Sequence, residues 1–227
     1  MPLIEVRNVV KTYGRNGTAT AALRGISLLV EAGEFAAIMG PSGSGKSTLL
    51  HILGFLDRPT EGEYRFDGKT IRDYTPEELA RVRNRDMGFV FQAFNLLPRT
   101  SVFENVALPL AYSTVPEAEW TDRVRSAVES VGLGHRRDHM TNQLSGGEQQ
   151  RAAIARALVN QPKIVFADEP TGNLDSQSGA AIMDILGNLN RTQSHTIILI
   201  THEWDIARRA QRIIRIRDGL IAGDERL

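Results

Sequence analysis

The segment that constrains this chain most is 40–47, Gly40-Pro41-Ser42-Gly43-Ser44-Gly45-Lys46-Ser47. Every fixed position fits the Gly-x-x-x-x-Gly-Lys-Ser/Thr pattern of a phosphate-cradling loop. The apolar run 35–39 precedes it, and Thr48, Leu49, Leu50, Ile52 and Leu53 follow, so the pattern lies between a buried strand and a buried helix. There the glycines let the backbone curl so that successive N–H groups point inward, and the helix start adds about half a positive charge. Lys46 is then placed to reach β- and γ-phosphates, and the Ser47 hydroxyl to ligate Mg²⁺. Residues 40–48, through Thr48, are therefore candidate ligands of a nucleoside triphosphate.

The rest of the chain fits an α/β fold around that loop. The first 75 residues read as strands and turns: strands over 3–10 and 22–30, then Tyr64 and Phe66 alternating before the hairpin signal Asp67-Gly68. Thr75-Pro76-Glu77-Glu78 combines a capping box with proline at the first helical position. Trp120, Val124, Ala127, Val128 and Val131 have helical spacing, which predicts an amphipathic helix over 117–131 with Trp120 packed into the core. After residue 160, apolar strands at 164–167 and 196–201 flank a helix marked by Ile182, Ile185, Leu186 and Leu189, and Asp218-Gly219 turns a last hairpin. Short apolar strands alternating with helices predict a mainly parallel sheet covered on both faces. The helical middle, 93–160, interrupts this pattern as an inserted subdomain of a single domain, 1–227.

A second chemical signal is the run 163–169, four apolar residues ending in Asp168-Glu169. Carboxylates at the C-terminal end of a buried strand face the crevice where such sheets bind ligands. Asp168 suits a Mg²⁺ shell. Glu169 is placed to orient or deprotonate a water, an assistance worth about 10²–10⁴ in rate.

Composition removes other classes. The chain has no cysteine, which excludes thiol chemistry, and its 27 Lys plus Arg against 27 Asp plus Glu argue against binding nucleic acid through bulk positive charge, with a local basic patch left open. No apolar run approaches the roughly 20 residues of a membrane span. The first residues also lack the apolar stretch of a secretory signal. A cytoplasmic protein is expected.

Further segments narrow the family. Leu144-Ser145-Gly146-Gly147-Glu148 opens the helix-like run 149–159, and Pro170-Thr171-Gly172-Asn173-Leu174-Asp175 follows the acidic strand. His202 comes directly after the strand 196–201, and Gln92 follows Gly88-Phe89-Val90-Phe91. In this order and spacing the chain resembles the ATP-binding-cassette (ABC) ATPases over essentially its whole length. The resemblance implies a P-loop NTPase core, an N-terminal antiparallel β subdomain and an inserted α-helical subdomain. It implies ATP as the nucleotide, with Tyr13 stacked on adenine, Gln92 touching Mg²⁺ or the attacking water, and His202 at the γ-phosphate. Ser145, Gly146 and Gly147 would face the ATP of a second subunit, with Asp175 crossing the same interface, so that two chains sandwich two nucleotides.

The resemblance further implies an energising subunit whose dimer closure and reopening moves a transmembrane permease. The alternatives are a soluble ABC ATPase acting on nucleic acid or ribosomes and one that signals at the membrane without transport. The energising role places the chain on the inner face of the cell membrane, held only through its partner and without nucleic acid. Phe91, Phe94, Leu96 and Leu97 near Gln92 are the candidate docking surface. The segments 91–98, 105–110 and 171–176 look like the branch of macrolide and antimicrobial-peptide exporters, lipoprotein-release ATPases and a cell-division regulator. Two residues depart from the family pattern: Glu148 stands where glutamine is usual, and Asn142 lies where proline is common nearby. The chain's end at Leu227 predicts no appended regulatory domain.

Overall fold

Two sheets, packed through a shared core, position the phosphate loop. The computed structural model describes residues 1–14 and 19–227. Strands β1 (Ile4–Tyr13), β2 (Thr20–Val30), β4 (Glu61–Phe66) and β5 (Lys69–Thr70) form an antiparallel sheet in the order β2-β1-β4-β5. After β2 the chain passes to the second sheet as strand β3 (Phe35–Met39), and helix α1 (Lys46–Leu53) follows the loop.

The second sheet has the order β10-β9-β3-β8-β7-β6, with β6 (Met87–Phe91), β7 (Ile164–Asp168), β8 (Thr196–Thr201) and β9 (Arg212–Arg217) parallel to β3. The last strand, β10 (Leu220–Arg226), is an antiparallel edge joined to β9 through Asp218-Gly219. Asp67-Gly68 makes the matching turn from β4 to β5. This is the α/β class read from the alternating pattern, with the antiparallel N-terminal sheet that the family resemblance implies.

Strand periodicity divides the apolar side chains between two cores. Ile38, Ile164, Phe166, Ile198, Ile200, Ile214 and Ile216 pack with α1 and the antiparallel sheet on one side. Phe35, Ala37, Val165, Ala167, Ile197, Leu199 and Ile213 face the helices on the other. The central strands are thus apolar on both faces, which is why 164–167 and 197–200 show no polar alternation.

Helices α2 (Pro76–Asp86), α3 (Val102–Ala107), α4 (Trp120–Ser130), α5 (Gly146–Leu158), α6 (Ser176–Gln193) and α7 (Trp204–Ala207) complete the chain. Thr75 caps α2 in a reciprocal box with Glu78, with Pro76 in the first turn. Helix α4 is shorter than the expected 117–131. Residues Glu117–Glu119 form a 3₁₀ turn, because Pro116 precedes them in an extended conformation and no side chain caps the first N–H groups. Trp120 packs against the helical core and donates its indole N–H to the Val115 carbonyl at 3.1 Å.

Phe166 tests the shared core. It is 1% exposed and stacks on Phe89 with ring centroids 5.4 Å apart. Phe166→Ala is expected to lower unfolding free energy by about 3–5 kcal/mol, read from the shift of the urea unfolding midpoint.

Candidate functional site

The phosphate loop is held from both sides by backbone. At Gly40 a Cβ would strike the Ile216 carbonyl of β9, and at Gly45 it would lie 2.5 Å from the Ala22 carbonyl of β2. Gly45 also has φ +105°, which a side chain resists. The Gly219 N–H donates to the Ser44 carbonyl at 3.0 Å, so the β9–β10 hairpin braces the loop. Gly45 is the N-cap of α1 and offers no side-chain acceptor, which leaves the N–H groups of the first turn without a capping partner.

Beside this loop lies a cavity of 650 Å³. Its walls are the segments 41–43 and 45–48, with Ala22, Glu169 and His202. Lys46 is 7% exposed and donates to the Gly40 and Pro41 carbonyls, both at 2.8 Å, so its ammonium already lies across the loop. The Ser44 hydroxyl is buried without a partner among the described residues.

Glu169 reaches the cavity through an unusual backbone. Its φ is +45°, and its N–H donates to the Ile200 carbonyl at 2.9 Å. The chain therefore turns sharply one residue after Asp168, which is still in register with Phe91 and Ile200 of the sheet. Glu169 Oε1 lies 3.0 Å from His202 Nδ1. Burial, and then the charge of Glu169, hold the Asp168 carboxyl above its ordinary range, while His51 and Lys46 pull the other way.

These features fit a polyphosphate with Mg²⁺. The cradle has no room for a Cβ at Gly40 or Gly45, the helix start carries free donors, and Lys46 supplies a cation. The Ser47 hydroxyl, the Asp168 carboxylate and the Gln92 amide oxygen are hard oxygen donors of the kind Mg²⁺ takes. No cluster of three or more His, Cys, Asp or Glu occurs among the described residues, so phosphate oxygens would complete such a shell.

Gln92 lies outside the cavity wall, in the turn after β6. Its amide donates to Asn173 Oδ1 at 3.2 Å, and Asn173 Nδ2 donates back to the Gln92 carbonyl at 3.0 Å. Tyr13 also lies off the wall, 42% exposed at the end of β1. Its hydroxyl donates to Asp57 Oδ2 at 2.8 Å, and Lys11 Nζ lies 4.9 Å from the ring centroid while pairing with Asp57 at 2.6 Å. Partial burial and then Asp57 raise the Tyr13 phenol above its ordinary value. Asp57 and Lys11 escape sequence reasoning because neither carries a motif, and only folding brings the 57–60 turn onto β1.

Ser145, Gly146, Gly147 and Asp175 form a separate group. Ser145 caps α5, and Glu148 Oε2 accepts from the Ser145 N–H at 2.8 Å and from its hydroxyl at 2.9 Å. Arg136 Nε donates to the other Glu148 oxygen at 3.0 Å. The Ser145 N–H, its hydroxyl and Arg136 hold the Glu148 carboxyl below its ordinary range. Asp175 caps α6 by accepting from the Ser178 N–H at 2.9 Å and hydroxyl at 2.7 Å. The two helix starts are neighbours: a Cβ at Gly146 would meet Leu174 at 3.3 Å, and one at Gly147 would meet Ser178 at 3.1 Å. None of the four residues lines the phosphate cavity.

Gly45→Ala probes the cradle. The added methyl group meets the Ala22 carbonyl, so ATP affinity measured by equilibrium dialysis is expected to fall more than about tenfold, with about 1–3 kcal/mol of backbone strain lowering the unfolding midpoint.

Comparison with known proteins agrees with this geometry. A family model described as ABC transporter matches residues 23–172. A macrolide export ATP-binding/permease protein, MacB, of Bdellovibrio bacteriovorus is 52% identical over 225 residues, covering 99% of this chain and 34% of that protein. The pyoverdine export ATP-binding/permease protein PvdT of Pseudomonas aeruginosa is 51% identical, again over 99% of this chain and 34% of the relative. The chain thus spans about a third of the length of these curated relatives. Among solved structures, the dimeric post-hydrolysis state of the ATP-binding cassette MJ0796 bound to ADP and Pi superposes with a TM-score of 0.89 at 43% identity, covering 99% of this chain and 98% of that one. The cbiO1 protein of Clostridium perfringens, part of an ABC transporter complex, gives a TM-score of 0.89 at 32% identity, over 99% of this chain and 88% of that one. The chain belongs to the ABC transporter family and is an ABC ATPase cassette.

Proposed function

We propose that this chain, a single cassette over 1–227 with a helical subdomain at 93–160, hydrolyses ATP in a head-to-tail dimer and so powers a transmembrane permease. The observation that carries the reading is the division of the site into two parts. The phosphate cavity holds Lys46, Glu169 and His202, whereas Ser145, Gly146, Gly147 and Asp175 form a second group outside its wall. A second copy is needed for the latter group to meet the same nucleotide. The dimeric cassette among the structural neighbours supports this arrangement.

Within one copy, residues 40–48 bind the phosphates through backbone N–H groups and Lys46. Ser47, Asp168 and Gln92 would hold Mg²⁺, which when bound offsets phosphate charge. Glu169 accepts a proton from the attacking water, and His202, at 3.0 Å, orients that carboxylate. Tyr13 presents its ring to the adenine, steadied by Asp57.

Among the described residues no helix is long and apolar enough to cross a membrane. Contact with the permease is assigned to a groove of 540 Å³ between the sheet edge and the helical segment. Phe91 lines it, together with Leu56, Phe89, Pro109 and Tyr112, and Tyr112 is 75% exposed. Phe94, Leu96 and Leu97, expected to share that role, lie outside the groove: Leu96 packs against the helical core, and the Phe94 carbonyl accepts from Arg156. The names of the relatives, which join export, ATP binding and a permease, support export as the transport direction, and with it work at the inner face of the membrane.

Glu169→Gln is expected to bind ATP, lose turnover by about a hundredfold or more, and run as a dimer on sizing with ATP and Mg²⁺. Adding Ser145→Arg to this variant should abolish the dimer and leave ATP binding by the monomer intact. A purely monomeric Glu169→Gln chain under saturating ATP refutes the two-part site.

A further inference from the structure

Helix α5 buries a glutamine that no part of the reading above uses. Gln150 and Asn105 are the two polar side chains with no exposed surface among the described residues. Asn105 bonds within its own neighbourhood, to Leu97, Thr100 and Ser101. Gln150 instead reaches across the fold. Its one NH₂ group donates to the Pro170 carbonyl at 2.7 Å and to the Phe91 carbonyl at 3.3 Å. Its Oε1 has no partner. Both acceptors are carbonyl oxygens, so only the NH₂ end can face them and the amide orientation is fixed by chemistry.

The two carbonyls belong to functionally marked turns. Phe91 immediately precedes Gln92, and Pro170 immediately follows Glu169. The Gln92 turn is also clasped to Asn173, so one side chain from the helix and one from the loop after Glu169 hold it. Gln150 lies five residues beyond the cap Ser145, about 7.5 Å along the helix axis. A displacement of α5 therefore pulls on both turns through a single amide. The amide pairs two carbonyls that are distant in sequence, and an apolar side chain in its place would leave the Pro170 carbonyl without this donor.

We propose that Gln150 is a positioning residue that sets the Gln92 turn against the Glu169 turn and ties both to the helix that begins at Ser145. The proposal rests on the reading of Gln92 and Glu169 as ATP-site residues. It acts on the reacting groups through the backbone of their neighbours, and Gln150 touches no nucleotide itself.

The test uses Gln150→Met, which keeps length and volume and removes both donors, in this chain at a temperature where circular dichroism shows it folded. Turnover at saturating ATP should fall about tenfold or more, while ATP affinity by equilibrium dialysis changes less than about twofold. In a Gln92→Ala background the same substitution should cost clearly less than it does in the wild-type chain, because one of the two groups it positions is already gone. Gln150→Asn, which keeps an amide but withdraws it by about 1.5 Å, should give the same split between turnover and affinity and serves if the methionine variant unfolds. Unchanged turnover, an equal loss of affinity and turnover, or full additivity with Gln92→Ala overturns the proposal. If Glu169→Gln itself keeps wild-type turnover, the underlying reading of the site fails. If Glu169→Gln is inactive while Gln150→Met turns over normally, the positioning role alone fails.

Discussion

The structure depends on a tight approach of backbone to backbone around the phosphate loop. Helix α1 starts at a glycine with φ +105°, and carbonyls of Ala22 and Ile216 occupy the space that side chains at Gly45 and Gly40 would need. β2, β9 and the 218–219 turn therefore hold the loop in place before any ligand arrives. An uncapped helix start is an electrostatic debt in an ordinary protein. Here it is the feature that makes an anion the natural occupant, and Lys46 completes the match.

From that fixed point the central sheet distributes the remaining chemistry. β7 and β8 run parallel to β3, so their C-terminal ends bring Asp168, Glu169 and His202 to the same edge as the loop. The left-handed turn at Glu169 aims its carboxylate into the cavity, and His202 meets it at 3.0 Å. A different set of groups sits at the start of α5, in the helical segment between β6 and β7, and at the start of α6, which follows β7, and these groups lie outside the cavity wall. In the proposed dimer these two groups become partial sites that a second copy of the chain completes.

The sequence states some of this directly. The loop motif, the apolar strands at 35–39, 164–167 and 196–201, and the two Asp-Gly turns are local signals, each set by residues that touch one another along the chain. What it hides is long-range. Tyr13 is held by Asp57 and Lys11, and Gln150 reaches Phe91 and Pro170, across separations that no periodicity encodes. The groove draws on Leu56 and Tyr112, which no motif marks, whereas Leu96 turns into the core and Leu97 is exposed outside the groove. The helix at 120–130 starts late because Pro116 leaves its first turn without a cap, a feature that apolar spacing alone cannot report.

The central claim is that each nucleotide is completed by two copies of the chain. Its most direct test is the specific ATPase activity of the wild-type chain over about a hundredfold range of protein concentration at saturating ATP and Mg²⁺, with molecular mass measured at each point. The account predicts specific activity that rises with concentration in step with the dimer fraction. Constant specific activity from a chain that is monomeric at every concentration contradicts it.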